Sequence, residues 1–362
     1  MDAVDRRLLD AVQSSVPLLP RPFAAVGEAV GLGEDEVLRR LANLREAGVL
    51  RQIGGIFDTR ACGYRSALVT ARVRPERLEG AAAAIGGHPG VTHCYERDHA
   101  WNLWFTLAVP PDSALGLEGT VDRLCAAAGV EAIRLLPALR VFKIGAKFEM
   151  DGGDGPIQTP AGVSGPRQIC DPPGPPGPIF DGYPGARLGE DEIAAIRALQ
   201  RPLPLVEEPF VSAAELAGMS QRELLRHAAA LGSRGVMRRF AALLNHRRAG
   251  FGANVLGAWA IPSSRRAEAG ERIAAFGAVT HCYERPTFPD WPYALLSMIH
   301  GRSREECLAV VDAIRCLIGP EAFAALWSAR EFKKARLQLF TPDYSRWERS
   351  GAGRPVADPA LA

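Results

Sequence analysis

The first part of the chain shows apolar residues at the spacing of an amphipathic helix. This pattern predicts three helices, over 2–14, 23–30 and 34–47. A turn is expected at Gly31–Gly33, and Gly48 follows the third helix, as is typical of a helix C-terminus. The next segment, Val49 to Phe57, has the character of a strand. Three short helices and a strand predict a winged helix-turn-helix domain.

Further along, the pattern changes to the alternation of half-buried strands. It predicts four strands, over 66–73, 91–97, 101–109 and 132–142. Two helices are expected between them, over 75–85 and 113–128. The resulting order, βαββαβ, is the plan of a ferredoxin-like domain.

The chain contains this series of elements twice. Val91–Arg97 and Val279–Arg285 share the sequence VTHCYER, and Gly48–Arg51 is matched by Gly235–Arg238. Such an internal repeat indicates two copies of one structural unit. In the second copy we expect three helices within 190–234, followed by elements over 253–261, 265–276, 279–298, 305–318 and 325–332. The predicted fold class is α+β, a tandem repeat of a winged helix-turn-helix and a ferredoxin-like domain.

Six segments follow from this repeat. The helix-turn-helix domains are expected over 1–60 and 188–248, and the ferredoxin-like domains over 61–150 and 249–340. Gly and Pro fill about half of the positions of 151–187, so we expect an extended linker there. An irregular tail is expected over 341–362. The linker is long enough for the two lobes to pair face to face as an internal pseudo-dimer, and a further homodimer of chains stays open.

Composition narrows the class of protein. With 43 Lys and Arg against 41 Asp and Glu, the formal charge of +2 does not favour nucleic-acid binding over the whole surface. We expect a cytoplasmic protein that does not enter membranes, since there is no signal-peptide pattern and no run of 18 apolar residues. Seven scattered cysteines contain no Cys-x-x-Cys pair, so no zinc or iron–sulfur site is expected.

The predicted layout is that of the Lrp/AsnC transcription regulators, which makes DNA binding the first hypothesis. A helix that reads DNA presents its N-terminus to the major groove. The third helix of the first copy begins Glu34-Asp35-Glu36, and these carboxylates would meet phosphates. The second copy, with Ser220–Glu223, offers no clear base-reading set. DNA binding is therefore disfavoured, and a DNA-binding regulator that senses a tetrapyrrole is the alternative function.

The repeated hairpin strand carries unusual polar residues. Alternate residues share a face, so His93, Tyr95 and Arg97 point one way, and the second copy repeats them as His281, Tyr283 and Arg285. A purely structural reading would place Tyr and Arg at the sheet edge and satisfy His with a neighbour. Fold alone does not demand these three residue types twice, and the repetition therefore favours a binding or catalytic role.

The two hairpins diverge after the shared stretch. The first continues as DHAWNLWFT over 98–106 and the second as PTFPDWPY over 286–293, ending SMIHG at Gly301. These two versions resemble the hairpins of two related subunits of the siroheme decarboxylase family, here fused in one chain. The wings at 51–58 and 238–247 resemble the same two subunits, apart from Gln52 and Ala241, where the family more often has Arg and Gly.

This resemblance implies a non-oxidative carboxy-lyase without an added cofactor. The family's reaction removes the acetate carboxylates on rings C and D of siroheme and gives 12,18-didecarboxysiroheme, for haem d-one or alternative haem biosynthesis. The iron belongs to the substrate, and no other metal site is expected. Siroheme and didecarboxysiroheme are the expected small-molecule partners.

Such a reaction needs an acid, a clamp for the departing carboxylate and flat walls for the ring. The predicted catalytic residues are His93, His246, His281 and Arg285. The predicted substrate-binding residues are Tyr95, Arg97, His99, Arg238, Arg239, Arg247, Tyr283, Trp291 and Tyr293. His281 and His246 are also the candidates to ligate the substrate iron. We expect the main pocket in the second lobe, which combines these acids and clamps, with the first lobe as a second site or a scaffold.

Overall fold

A computed structural model describes residues 1–144, 187–244, 253–319 and 322–351. Two copies of the predicted series are present. The first copy consists of α1 (Ala3–Ser14), α2 (Pro22–Val30), α3 (Glu34–Glu46), β1 (Leu50–Phe57), β2 (Arg65–Arg72), α4 (Leu78–Gly86), β3 (Val91–Arg97), β4 (Leu103–Val109), α5 (Gly116–Ala128), β5 (Ala132–Leu136) and β6 (Arg140–Ile144). The second consists of α6 (Glu190–Leu199), α7 (Phe210–Ala217), α8 (Gln221–Ser233), β7 (Met237–Leu244), β8 (Ala253–Trp259), α9 (Arg266–Ala274), β9 (Val279–Glu284), β10 (Leu295–Gly301), α10 (Arg304–Ile318) and β11 (Phe323–Lys334), followed by α11 (Pro342–Arg349).

The two helix-turn-helix copies form one body with one apolar core. Leu8 and Leu41 of the first copy and Ile196 and Leu224 of the second belong to the same buried cluster. The two wings, β1 and β7, pair antiparallel with each other in a sheet of their own. Sequence patterns show an edge strand but not its partner, so this pairing was not predicted.

The ferredoxin-like copies exchange strands. The strand order of the large sheet is β5-β2-β4-β3-β11-β8-β10-β9-β6. Phe323–Trp327 of β11 pair with β8 in their own lobe, and Ser328–Lys334 of the same strand pair with β3 of the first lobe. In return, β6 of the first lobe pairs with β9 of the second. The expected single strand over 132–142 is therefore wrong, because the chain pairs with its own lobe as β5 and then crosses to the other as β6.

Three apolar clusters support this sheet. Helices α4 and α5 cover the outer face of the first lobe, and α9 and α10 cover the outer face of the second. A third cluster joins the inner faces of both lobes and includes Trp104, Leu136, Leu256, Trp291 and Leu326. The expected face-to-face pairing of the two lobes is confirmed.

The chain end differs from the expected irregular tail, because 342–349 form the helix α11. This helix lies against the first lobe, where Tyr344 and Trp347 contact the His88 ring edge-on, at 4.9 and 4.2 Å between ring centroids. His88 is fully buried. Burial, and then the charges of Lys333 and Arg123, lower its pKa to about 3.

Lys143 and Lys333 both donate to backbone carbonyl groups. Lys143 of β6 is buried and donates to the Phe276 carbonyl at 2.8 Å, and Lys333 of β11 donates to the Gly86 carbonyl at 2.6 Å. These equivalent lysines fasten each crossing strand to the helical layer of the other lobe. Among the described helices, none is long and apolar enough to span a membrane.

Protonation of His88 is expected to weaken the attachment of α11. Its folded pKa of about 3 lies below the ordinary value of 6.5, so the unfolded chain binds the proton first. The stability contributed by neutral His88 is complete above pH 6.5 and is lost as the pH falls towards the folded value. We predict a loss of at most about 1.4 kcal/mol per pH unit from this group in urea unfolding.

The matched variant is His88→Asn, in which Oδ1 can replace the Nδ1 atom that accepts from the Gly90 N–H at 3.0 Å. This variant is less stable at neutral pH because the aromatic contacts are lost. Its free energy of unfolding should nevertheless depend less on pH between 6.5 and 4 than that of the native chain. Equal pH dependence in both proteins would refute the assignment.

Candidate active site

The repeated hairpin strands present two congruent faces. Cys94 and Cys282 point into the outer cores, so the alternate residues lie on the inner side of the sheet. The rings of His93 and Tyr95 stack at 6.1 Å between centroids and 24° between planes. In the second lobe the rings of His281 and Tyr283 stack at 6.1 Å and 23°. We call these the first-lobe face (His93, Tyr95) and the second-lobe face (His281, Tyr283).

A threonine orients each histidine. The Thr92 hydroxyl lies 3.0 Å from His93 Nδ1, and the Thr280 hydroxyl lies 2.9 Å from His281 Nδ1, with the donor set by the tautomer. Each ring is thereby fixed through one nitrogen. Burial lowers the pKa of His93, Lys334 and Arg51 lower it further, and Glu331 acts against this shift. His93 is therefore mainly a neutral imidazole near pH 7, and its protonated form is a better acid than an ordinary imidazolium.

The two repeated arginines hold the strand exchange together. Arg97 donates to the Leu326 carbonyl of β11 at 2.9 Å and Arg285 donates to the Leu136 carbonyl of β5 at 2.6 Å, so each reaches a strand of the other lobe. Their side chains also lie over the neighbouring tyrosines, with Arg285 at 4.5 Å from the Tyr283 ring centroid. This structural role was missed in the sequence, where both were predicted as carboxylate clamps.

The same arginines are unusual in their electrostatics. Both are buried, and burial lowers the pKa of each to about 10. Neither makes an ion pair with a carboxylate of the described residues, and the Nε atoms of both are buried without a hydrogen-bond partner there. An unneutralised buried cation is costly, so each face is preset for an anion.

Charged residues surround the first-lobe face. In the register of β11 with β3, Glu331 lies opposite Tyr95 and Lys334 opposite His93. Arg51 of the wing β1 lies near enough for its charge to affect His93. The side chains of Arg51, Glu331 and Lys334 are all exposed. These three residues were not among the sequence candidates, although Arg51 occupies the position that Arg238 occupies in the repeat.

The second-lobe face has apolar neighbours at the equivalent positions. In the register of β6 with β9, Val141 lies opposite Tyr283 and Ile144 opposite His281. Its cations are Arg238, as predicted, and Arg60, which was not predicted. Both are paired with Asp58, whose Oδ2 lies 2.8 Å from Arg238 and 3.6 Å from Arg60. Burial raises the pKa of Tyr283, and the charges of Arg285, Arg238 and Arg60 act against that rise.

Three predicted substrate contacts lie between the lobes, away from both faces' histidines. Trp291 is fully buried and contacts Trp104, His99 and Tyr293, at 5.2, 5.8 and 4.8 Å between ring centroids. The loop that carries Trp291 is fixed by Asp290, which accepts a bidentate pair of hydrogen bonds from Arg134 at 2.9 and 2.6 Å. Trp291, His99 and Tyr293 thus form part of the interlobe contact, and their substrate contacts stay predictions.

The remaining candidates are distributed as follows. Arg239 lies in β7 opposite Ile56 of the other wing and is half-buried. His246 and Arg247 lie outside the described residues, and their predicted roles stay predictions. Among the residues that the structure describes, no group of three or more His, Cys, Asp or Glu side chains is arranged to hold a metal ion.

Comparison with known proteins agrees with this architecture. The sequence profile of the siroheme decarboxylase NirDL-like helix-turn-helix domain matches residues 5–51 and 192–238, and that of the AsnC-like ligand binding domain matches 61–143 and 248–333. A siroheme decarboxylase of Hydrogenobacter thermophilus is 37% identical over 341 residues, which cover 94% of this chain and 96% of that protein. The chain belongs to the siroheme decarboxylase family.

This siroheme decarboxylase homologue is also similar to a solved structure and to a separate subunit. The siroheme decarboxylase NirDL in complex with an iron-uroporphyrin III analogue has a TM-score of 0.75 and 32% identity, covering 96% of this chain and 98% of that one. An alpha subunit from Desulfovibrio desulfuricans is 40% identical over 42% of this chain and 86% of its own length. The chain is an enzyme of the carboxy-lyase class, in the fused, tandem Lrp/AsnC-like form predicted from its sequence.

Removing either buried arginine is expected to destabilise the paired lobes. Arg97→Ala and Arg285→Ala each lose a charge-assisted hydrogen bond to a buried carbonyl and the packing of the guanidinium, which costs about 2–4 kcal/mol in guanidinium unfolding. Arg330→Ala is the matched control on β11, because Arg330 is exposed and pairs with Glu79 and Glu96. It should cost less than about 1 kcal/mol. Similar losses in all three variants would contradict a special role for the buried pair.

Proposed function

We propose that the chain removes the acetate carboxylates on rings C and D of siroheme and yields 12,18-didecarboxysiroheme. The product serves haem d-one or alternative haem biosynthesis. The observation that carries the proposal is the repeated His–Tyr pair, each beside a buried arginine that lacks a carboxylate partner among the described residues. A polycarboxylate ligand is the class that fits unneutralised cations beside imidazole and phenol side chains.

Recognition follows from charge and shape. Siroheme carries eight carboxylates, and the exposed Arg51 and Lys334 can bind those at the rim of the macrocycle. The His93 and Tyr95 rings, stacked against each other, can contact the macrocycle through their edges. The charges of Arg97 and Arg285 add positive potential beside the two His–Tyr pairs. Their hydrogen bonds to carbonyls hold both guanidinium groups in place.

The chemistry requires one proton for each carboxylate removed. The bond between the acetate methylene and its carboxyl carbon breaks, carbon dioxide leaves, and the electron pair passes into the macrocycle. A proton then converts the side chain to a methyl group. His93 and His281 are oriented by threonines at Nδ1, so Nε2 is the atom that faces a substrate. They and His246 are the proposed acids, and one of the histidines ligates the substrate iron, with His281 and His246 as the candidates.

No electron acceptor takes part in this sequence of steps, so we propose that no added cofactor is needed. The leaving carboxylate must be held while its carbon–carbon bond breaks, and a fixed cation is suited to that role. The predicted clamps Arg238, Arg239 and Arg247 remain proposals, with Arg285 acting from its buried position.

Turnover is the direct test of this function. Anaerobic incubation of the full chain with siroheme should produce a species lighter by two carbon dioxide units in mass spectrometry. DNA of the gene's own upstream region should show no haem-dependent shift at physiological salt. Unchanged siroheme together with tight, haem-dependent DNA binding would instead support the regulator hypothesis.

Binding should also be linked to proton uptake. Burial, Lys334 and Arg51 keep the pKa of free His93 below its ordinary value, and substrate carboxylates would neutralise the two cations. The pKa of His93 should therefore rise in the complex, so affinity should increase as the pH falls through that range. Calorimetry with the iron-uroporphyrin III analogue in buffers of different ionisation enthalpy should show up to about one proton bound. His93→Gln should abolish this uptake, and equal uptake in the variant would assign the proton to another group.

A further inference from the structure

The two repeated histidines are held by hydroxyl groups that have different partners. The Thr92 hydroxyl lies 3.0 Å from His93 Nδ1. In the second lobe the Thr280 hydroxyl lies 2.9 Å from His281 Nδ1. A hydroxyl group carries one hydrogen, so each threonine can either donate to Nδ1 or accept from it. The other partner of each threonine therefore determines which ring nitrogen carries the hydrogen in the neutral imidazole.

In the first lobe the second partner is another hydroxyl. Thr106 of β4 lies opposite His93, and its hydroxyl accepts from the His93 backbone N–H at 3.1 Å. Among the described residues, the acceptors within reach of its own hydrogen are the Thr92 hydroxyl at 2.6 Å and His93 Nδ1 at 3.5 Å. With the first acceptor, Thr92 passes its own hydrogen to Nδ1, and with the second, Nδ1 accepts from Thr106 directly. Both arrangements leave Nδ1 as an acceptor.

The reverse arrangement in the first lobe leaves a hydroxyl hydrogen unused. If Nδ1 carried the hydrogen, Thr92 would accept from His93 and donate to Thr106. The half-buried Thr106 would then have no acceptor for its own hydrogen among the described residues. A polar hydrogen without a partner costs free energy. Neutral His93 therefore carries its hydrogen on Nε2.

In the second lobe the second partner is a carbonyl group. Met298 of β10 occupies the position opposite His281 and offers no hydroxyl. The Thr280 hydroxyl donates instead to the Met298 backbone carbonyl, in a long hydrogen bond of 3.4 Å. A carbonyl oxygen can only accept, so Thr280 gives its hydrogen to Met298 and accepts from Nδ1. Neutral His281 therefore carries its hydrogen on Nδ1 and has a bare Nε2.

We propose that Thr106 and Thr280 hold the two histidines in opposite tautomers, so that neutral His93 presents an Nε2–H donor and neutral His281 presents a bare Nε2. What these atoms meet rests on the proposed function. His93 can donate to a substrate carboxylate without first taking up a proton. The bare Nε2 of His281 can bind the substrate iron, or take up a proton and act as an acid. Both threonines are positioning residues, because they act through the imidazole rings.

The test is a nitrogen NMR spectrum of the full chain without ligand, with isotope-labelled histidine rings. At about pH 8 ordinary histidine side chains are neutral, and bare and hydrogen-bearing ring nitrogens resonate far apart. His93→Gln and His281→Gln assign the two sets of signals. We expect a bare Nδ1 in His93 and a bare Nε2 in His281. The same tautomer in both rings would overturn the proposal.

Threonine variants test the cause of each tautomer in the same spectrum. Thr106→Asp ends the first-lobe chain in a group that can only accept, so Thr92 should turn towards it and Nδ1 of His93 should gain a hydrogen. Thr280→Val removes the acceptor of Nδ1, so His281 should return to the Nε2–H form that a free imidazole favours. Thr280→Ser keeps the hydroxyl and should keep the native tautomer.

Thr70→Val is the matched control. The Thr70 hydroxyl of β2, in the same sheet, is buried without a hydrogen-bond partner among the described residues. Its loss should change neither histidine. A bare Nδ1 in folded Thr106→Asp, or an unchanged His281 in folded Thr280→Val, would each contradict the role of that threonine.

The two proposals fail differently. Opposite tautomers in a chain that leaves siroheme unchanged would contradict the decarboxylase function and leave the role of the threonines standing. A chain that decarboxylates siroheme but has the same tautomer in both rings would support the function and contradict the roles of Thr106 and Thr280.

Discussion

The structure depends on two buried guanidinium groups, each bound to a carbonyl of the other lobe. Arg97 meets Leu326 and Arg285 meets Leu136, at the points where the last strands leave their own lobes. Each lobe completes its four-stranded sheet with β5 or with the first half of β11, and β6 and the second half of β11 then extend the sheet of the other lobe. The cost of burying these cations is offset by hydrogen bonds to backbone and by contact with the tyrosine rings.

Strand exchange also determines the composition of each face. The first-lobe hairpin receives Glu331 and Lys334 from the second lobe, and the second-lobe hairpin receives Val141 and Ile144 from the first. Asp58 and Arg60 of the first copy reach Arg238 of the second copy through the paired wings. Fusion of two unlike copies thus lets one chain keep two congruent aromatic faces and surround them with different charges.

Periodicity and the repeat predicted most of the elements, the fold class and the shared face of His93, Tyr95 and Arg97, because these depend on local spacing. A bulge before His93 breaks the alternation, so Val91 lies in the outer core with Cys94. Partners across the lobes were not predictable, since strand exchange places Lys334 beside His93 from a distant part of the sequence. For the same reason the sequence predicted Arg97 and Arg285 as ligand clamps and did not indicate their carbonyl partners in the other lobe. The helix α11 was not predicted, because the contact of Trp347 with His88 that holds it joins residues far apart in the chain.

A crystal structure of the full chain with the iron-uroporphyrin III analogue would test the central claim most directly. The account predicts a tetrapyrrole beside at least one of the repeated His–Tyr pairs, with Arg97 and Arg285 still bound to the Leu326 and Leu136 carbonyls. A tetrapyrrole bound away from both pairs would contradict it.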